Sequence, residues 1–135
     1  MENIEYFKSI EDIKIVDNSM TVNIPTNVRS DHDLFSLFSK ELNFPDYFGD
    51  NWDALFDCLK DLSFVKEKNI TIINNDIPFK NSIYDRKTYI ELLVDLINHW
   101  KEHYQHKIFI YFPEDCRKFV EEIINEYNKK WSTQE

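Results

Sequence analysis

Apolar positions along this chain follow two rhythms. Short β-branched or aromatic runs bounded by polar residues, NITIIN (69–74) and KIFIYF (107–112), predict buried strands. IKIVDNSMTVNIP is also strand material; Asp17-Asn18-Ser19 breaks it as a turn, and Met20–Pro25 is its better strand. The second rhythm is helical. Leu34, Leu37, Phe38 and Leu42 recur behind Ser30, an N-cap residue with Asp33 three positions on. Trp52, Leu55, Phe56 and Leu59 mark a helix over 51–61. Tyr89, Leu93, Leu96, Ile97, Trp100 and Tyr104 mark a longer one over roughly 86–104. Pro113 and Glu114-Asp115 open a last helix with acids early and lysines late, as the helix dipole favours.

Residues 1–12 read as a polar lead-in with at most a short helix. Strands separated by helices predict an α/β fold, a small three-stranded parallel sheet packed with helices. There is no repeat, low-complexity tract or Gly/Ser linker, so residues 1–135 are expected to form one domain, with 113–135 as a C-terminal helical extension.

Composition narrows the function. A formal charge of −9, from 25 acids against 16 bases, argues against a nucleic-acid binder, which needs a basic face to displace counterions. No apolar run reaches the length of a membrane span, and MENIEYFKSIEDIK lacks the basic head and apolar middle of a signal peptide. Two cysteines, Cys58 and Cys116, are too few for a disulfide scaffold, so reduced thiols and a cytoplasmic location are expected. The charge is uneven. Residues 41–62 carry six acids and one lysine, a net −5 in a sixth of the chain. Solubility alone does not require that concentration.

At its centre lies FPDYFGDNWDALFDCL. Asp50, Asp53 and Asp57 fall at i, i+3 and i+7, off the stripe that faces the core. Unpaired carboxylates at that spacing repel, and Asp57 lies too far along the helix for the N-terminal dipole to favour it. Tyr47 and Phe48 stand immediately before, and Gly49, the only glycine, is expected to turn the chain with φ > 0. The pattern admits two readings: a solvated helix face with a hydrophobic staple, or an acidic, aromatic patch built to meet a cationic cleft.

The segment resembles the core motif of the barstar family, intracellular inhibitors of ribonucleases. Pro45, Tyr47, Gly49, Asn51, Asp53, Ala54, Leu55, Asp57, Cys58 and Leu59 stand as in that family. Phe48, Asp50 and Phe56 are conservative replacements, and Trp52 is a common variant. The resemblance implies a barstar-like three-stranded parallel sheet and a protein that occludes the active site of a basic ribonuclease. It further implies that Tyr47 packs near the nuclease's catalytic groups and that Asp53 and Asp57 pair with its cationic side chains. Asn51 and the Gly49 turn supply hydrogen bonds, and Asp50 adds charge. The family's further acidic contact falls near His99, with Asp95 and Glu102 close by. Expected, then, are a basic ribonuclease or toxin nuclease as protein partner, an immunity role, a monomer when free, and no enzymatic activity, cofactor or metal.

Two other readings compete. One is an acidic interaction module of the same fold with a partner that is not a nuclease. The other is a metal-dependent enzyme using Asp50, Asp53 and Asp57, or a metal held by His99 and His103 at i, i+4. Against these, one glycine cannot build a phosphate-cradling loop, no nucleophile–base motif is present, and carboxylates beside Cys58 raise its thiol pKa.

Overall fold

The computed structural model describes residues 1–46 and 48–132. Four parallel strands form one sheet: β1 (Ile4–Phe7), β2 (Ser19–Ile24), β3 (Asn69–Asn74) and β4 (Lys107–Pro113), in the order β1-β4-β3-β2. The helices are α1 (Asp31–Leu42), α2 (Trp52–Asp61), α3 (Ile83–His103) and α4 (Arg117–Ser132). The expected parallel α/β architecture is present, with one strand more than expected.

That strand lies in the supposed polar lead-in. IEYF pairs along β4 from Ile4 opposite Ile110 to Phe7 opposite Pro113, and Ile4 enters the core. Only Ile4 of its four residues is buried, so the local pattern is too short to announce a strand. The central strand β3 is buried from Ile70 to Asn74, as the continuous apolar run predicts for a strand covered on both faces.

Helix ends follow local chemistry. Ser30 caps α1 by accepting the Asp33 N–H at 3.1 Å. Helix α3 begins three residues earlier than the apolar spacing suggests, because the Ser82 hydroxyl accepts the Asp85 N–H at 3.2 Å. It ends at Tyr104, which takes a left-handed cap (φ 65°) and is 74% exposed instead of joining the buried face.

A polar joint ties α3 to the sheet. The buried Tyr89 hydroxyl donates to Asn74 Oδ1 at 2.6 Å, and Asn74 Nδ2 donates to the Tyr111 carbonyl at 3.1 Å. Every polar atom of this joint finds a partner, which a fully buried Asn requires. The C-terminal helix is integral to the core: Val120, Ile123 and Ile124 are buried in the same cluster as Ile4, Leu93 and Phe112. Truncating Ile124 to alanine should therefore cost about 2–4 kcal/mol in urea unfolding. A change below about 0.5 kcal/mol, usual for surface sites, would make α4 a peripheral appendage.

Candidate partner-binding site

The loop from α1 to α2 is held by aromatic rings. Phe48 packs edge-on against Phe44 (centroids 5.1 Å apart) and Phe35 (6.5 Å), and Trp52 packs edge-on against Phe35 (5.1 Å) and Phe79 (5.8 Å). Phe79 holds a left-handed backbone (φ 68°), and Arg86 fixes that turn by donating to the carbonyls of Phe79 and Ile77. Phe48 is thus half-buried in an aromatic floor, with part of its ring left at the surface. Tyr47 lies outside the described residues.

Gly49 does not turn the chain in the way expected. No described glycine has positive φ; the left-handed residue is its neighbour Asp50, at φ 56°. Aspartate tolerates that region because its short side chain bonds locally, and here Asp50 Oδ2 lies 2.6 Å from His32 Nδ1 of α1. A Cβ on Gly49 would meet Ala54 Cβ and Asn51 Nδ2 at 3.4 Å, which is close but tolerable contact. Asn51 is committed to the fold: its Oδ1 accepts the Ala54 N–H at 2.8 Å and its Nδ2 donates to the Gly49 carbonyl at 3.2 Å. That caps α2 and leaves little of the Asn51 amide to offer a partner.

The other end of α2 is held by side chains from outside it. Trp100 Nε1–H donates to the Leu59 carbonyl at 2.9 Å, His99 Nε2 contacts the Lys60 carbonyl at 3.1 Å, and His106 Nε2 contacts the Leu62 carbonyl at 3.2 Å. These carbonyls are among those a helix C-terminus leaves without intrahelical partners. Inward, Leu55, Cys58 and Leu59 are buried, and burial, then Asp61 and Asp57, push the Cys58 thiol pKa up.

Outward, Asp53 and Asp57 are exposed one turn apart. Asp57 is 79% exposed with Lys60 Nζ at the outer limit of pairing, 4.0 Å. Asp50 is turned to His32, so Asp53 and Asp57 form the acidic face proper, fixed at both helix ends. His99 is spent on α2 and carries no acid to the surface there. Among the described residues no group of three or more His, Cys, Asp or Glu is disposed to hold a metal ion, and no helix is long and apolar enough to cross a membrane.

Across from α2, Asp95 of α3 is half-buried and receives the Tyr127 hydroxyl of α4. Burial first, then the Glu91 charge, push its carboxyl up to about 6, with Lys60 opposing. Glu91 and Tyr84, also on α3, line a cleft with Asp53 and Phe56. Their proximity is tertiary and no local pattern marks it.

The family model for "Barstar (barnase inhibitor)" matches residues 20–113, which span β2 to β4 and include all of α2. The chain belongs to the barstar family. Barstar-family proteins bind ribonucleases as protein partners and are inhibitors, not enzymes. The match leaves β1 and α4 outside it.

Two outcomes follow from this local chemistry. Asp50→Val should cost roughly 1–3 kcal/mol, because a β-branched residue is strained at φ 56°, whereas Asp50→Asn and Gly49→Ala should each cost less than about 1 kcal/mol. Thermal melts of the three variants check this, and a Gly49→Ala loss exceeding that of Asp50→Val would reverse the assignment of the turn.

The Asp95 carboxyl gives a pH signature. Its folded pKa of about 6 lies above the ordinary aspartate value of 3.8, so the folded state holds its proton more tightly. The resulting stability is full below about pH 4 and lost as pH rises through about 6. Asp95→Asn should therefore melt higher than the parent at pH 7.5, and the gain should vanish near pH 4. A difference independent of pH would show that the carboxyl's charge is not the cause.

Proposed function

We propose that this chain inhibits a basic ribonuclease by seating the acidic face of α2 in its active site, as the cytoplasmic immunity partner of a toxin nuclease. One observation carries the reading: in a barstar-family chain, Asp53 and Asp57 stand exposed on a helix whose two ends are both tied into the fold. A basic ribonuclease holds cationic groups where RNA phosphate binds, and two carboxylates at fixed spacing can occupy the same positions. Because the helix that carries the carboxylates is already anchored at both ends, little backbone ordering entropy is lost on docking.

The mechanism is occlusion. No bond is made or broken, and inhibition ends when the complex dissociates. The net −5 of residues 41–62 would draw the nuclease in and fix its orientation. Phe48 and Tyr47 would cover the nuclease surface beside the carboxylates, Asp50, though turned to His32, would add its charge beside that face, and Gly49 and Asn51 would hold the loop in shape. The chain acts as a monomer until the nuclease binds.

Asp57 is the sharpest test, since it caps nothing and is 79% exposed in the free protein. Asp57→Ala should leave thermal stability within about 0.5 kcal/mol. It should weaken inhibition of a basic ribonuclease, barnase being the first to assay, by roughly thirtyfold, about 2 kcal/mol for one bond to a charged group. RNA-cleavage assays titrated with each variant measure this. Equal inhibition by parent and variant would remove α2 from the docking face.

A further inference from the structure

Helix α4 meets α3 at Lys87 and Asp95, through Glu126 and Tyr127, and the last turns of α3 run on beyond. Beside those turns, next to the starts of β1 and β4, lies a cavity of about 290 Å3. Among the described residues, none of α2 or α4 borders it. Its floor is apolar and almost wholly buried: Ile97, Trp100 and Ile108. The Trp100 indole N–H is spent on the Leu59 carbonyl, so the ring offers the cavity hydrocarbon. Tyr104, exposed on its left-handed cap, stands at the mouth.

Around this floor the charge of the molecule is reversed. Lys68, Lys101 and Lys107 face one carboxylate, Glu2, a net +2 from these side chains in a chain of −9. The three lysines are not equally free. Lys68 Nζ donates to the Tyr104 carbonyl, where it offsets the negative end of α3, and Lys107 Nζ lies over the Phe109 ring. Lys101 Nζ is 3.3 Å from the Glu2 carboxylate in an exposed pair. Such a pair is worth little, so an incoming carboxylate can take the place of Glu2 at small cost. His106 also borders the cavity but turns both ring nitrogens to the Glu67 and Leu62 carbonyls.

We propose that this cavity binds a small aromatic carboxylate, its ring on the Ile97, Trp100 and Ile108 floor beneath Tyr104 and its carboxylate on Lys101. This goes beyond the inhibitor reading and needs no nuclease. Small-molecule sites are mostly apolar with a few converging polar groups, and this cavity stands at the lower end of their range of about 300–1,000 Å3. That is room for one or two rings, not for a long chain. Two neighbouring aromatic side chains favour an aromatic body, and a rigid ring has little conformational entropy to lose on binding. The lysines set the sign: a cationic ligand of the same shape would meet three ammonium groups.

The test is a low-salt 1H–15N NMR titration of the full chain with cinnamate, cinnamyl alcohol, cinnamylamine and octanoate in parallel. Saturable shifts in the millimolar range are expected for cinnamate at the Trp100 indole N–H, Lys101 and Ile108, with the Trp52 indole N–H and Asp57 unmoved. The alcohol and octanoate should bind more weakly, and the amine weakest. Lys101→Gln should weaken cinnamate by about threefold, whereas Glu2→Gln, which removes the internal competitor, should tighten it by about twofold. Opposite signs at the two ends of one ion pair distinguish a ligand contact from a structural role, which would move both variants the same way. Equal binding of cinnamate and the amine, octanoate binding as tightly as cinnamate, shifts centred on Trp52, or failure of Glu2→Gln to tighten would each overturn the proposal. Ribonuclease inhibition plays no part in the titration, so a cavity that fails leaves the inhibitor reading intact.

Discussion

The last carbonyls of α2 are satisfied by side chains that belong to other elements, and the acidic face of α2 depends on that arrangement. Trp100 and His99 of α3, with His106 beyond it, face the Leu59, Lys60 and Leu62 carbonyls. Each such group left unpaired in a partly buried setting costs about 1–3 kcal/mol, so α2 cannot slide or rotate against α3 without losing several at once. Asn51 holds the opposite end through the Ala54 N–H. Between these anchors the buried stripe Leu55, Cys58 and Leu59 sets the rotation of the helix, and rotation decides where Asp53 and Asp57 point. The same anchoring sets the distance from α2 to α3, and with it the width of the cleft that Asp53 shares with Glu91.

That rigidity sits under a charge pattern that does little for the free fold. Asp53 gains from the helix N-terminus, whereas Asp57 has only Lys60 at 4.0 Å, an exposed pair of small value. Asp95 is worse placed, since burial and Glu91 both disfavour its ionised form. A protein selected for stability alone would neutralise such groups, and a strained or self-repelling patch on a rigid support is the usual mark of a surface whose energy is recovered on binding. The acid concentrated between residues 41 and 62 is therefore an argument about a partner, while the hydrophobic stripe beneath it is an argument about the core.

Local chemistry made much of this fold legible. NITIIN and KIFIYF read as strands because the continuous apolar run is itself the consequence of burial on both faces, and Ser30 announced α1 because a cap is a contact within three residues. Ser82 with Asp85 carried the same signal for α3, which the apolar spacing placed three residues late. Strand β1 was not legible: its evidence is the pairing of Ile4 with Ile110, more than a hundred residues away. The glycine argument failed for a related reason. Scarcity suggested that Gly49 held the left-handed turn, but Asp50 takes it, stabilised by a contact to His32 on a different helix. For the site, the positions on one helix were readable from spacing, whereas Tyr84 and Glu91 face α2 only because the chain folds back.

This division between local and tertiary information bears on how a barstar-family chain can change partners without losing its fold. The residues that build and anchor α2 answer to the core and to helix ends, so substitution there is felt as instability. Trp100 cannot vary without orphaning the Leu59 carbonyl, nor Leu55 without opening a cavity. Tyr84, Glu91 and Lys130 stand outside the buried cluster: the first is an exposed helix-start residue and the last lies on a helix outside the matched segment. Changes at these three positions alter the charge and shape of the surface beside Asp53 while leaving the anchors untouched. The stability held by the anchors of α2 and the chemistry of the surface beside Asp53 can therefore change separately, which a surface confined to one helix would not allow.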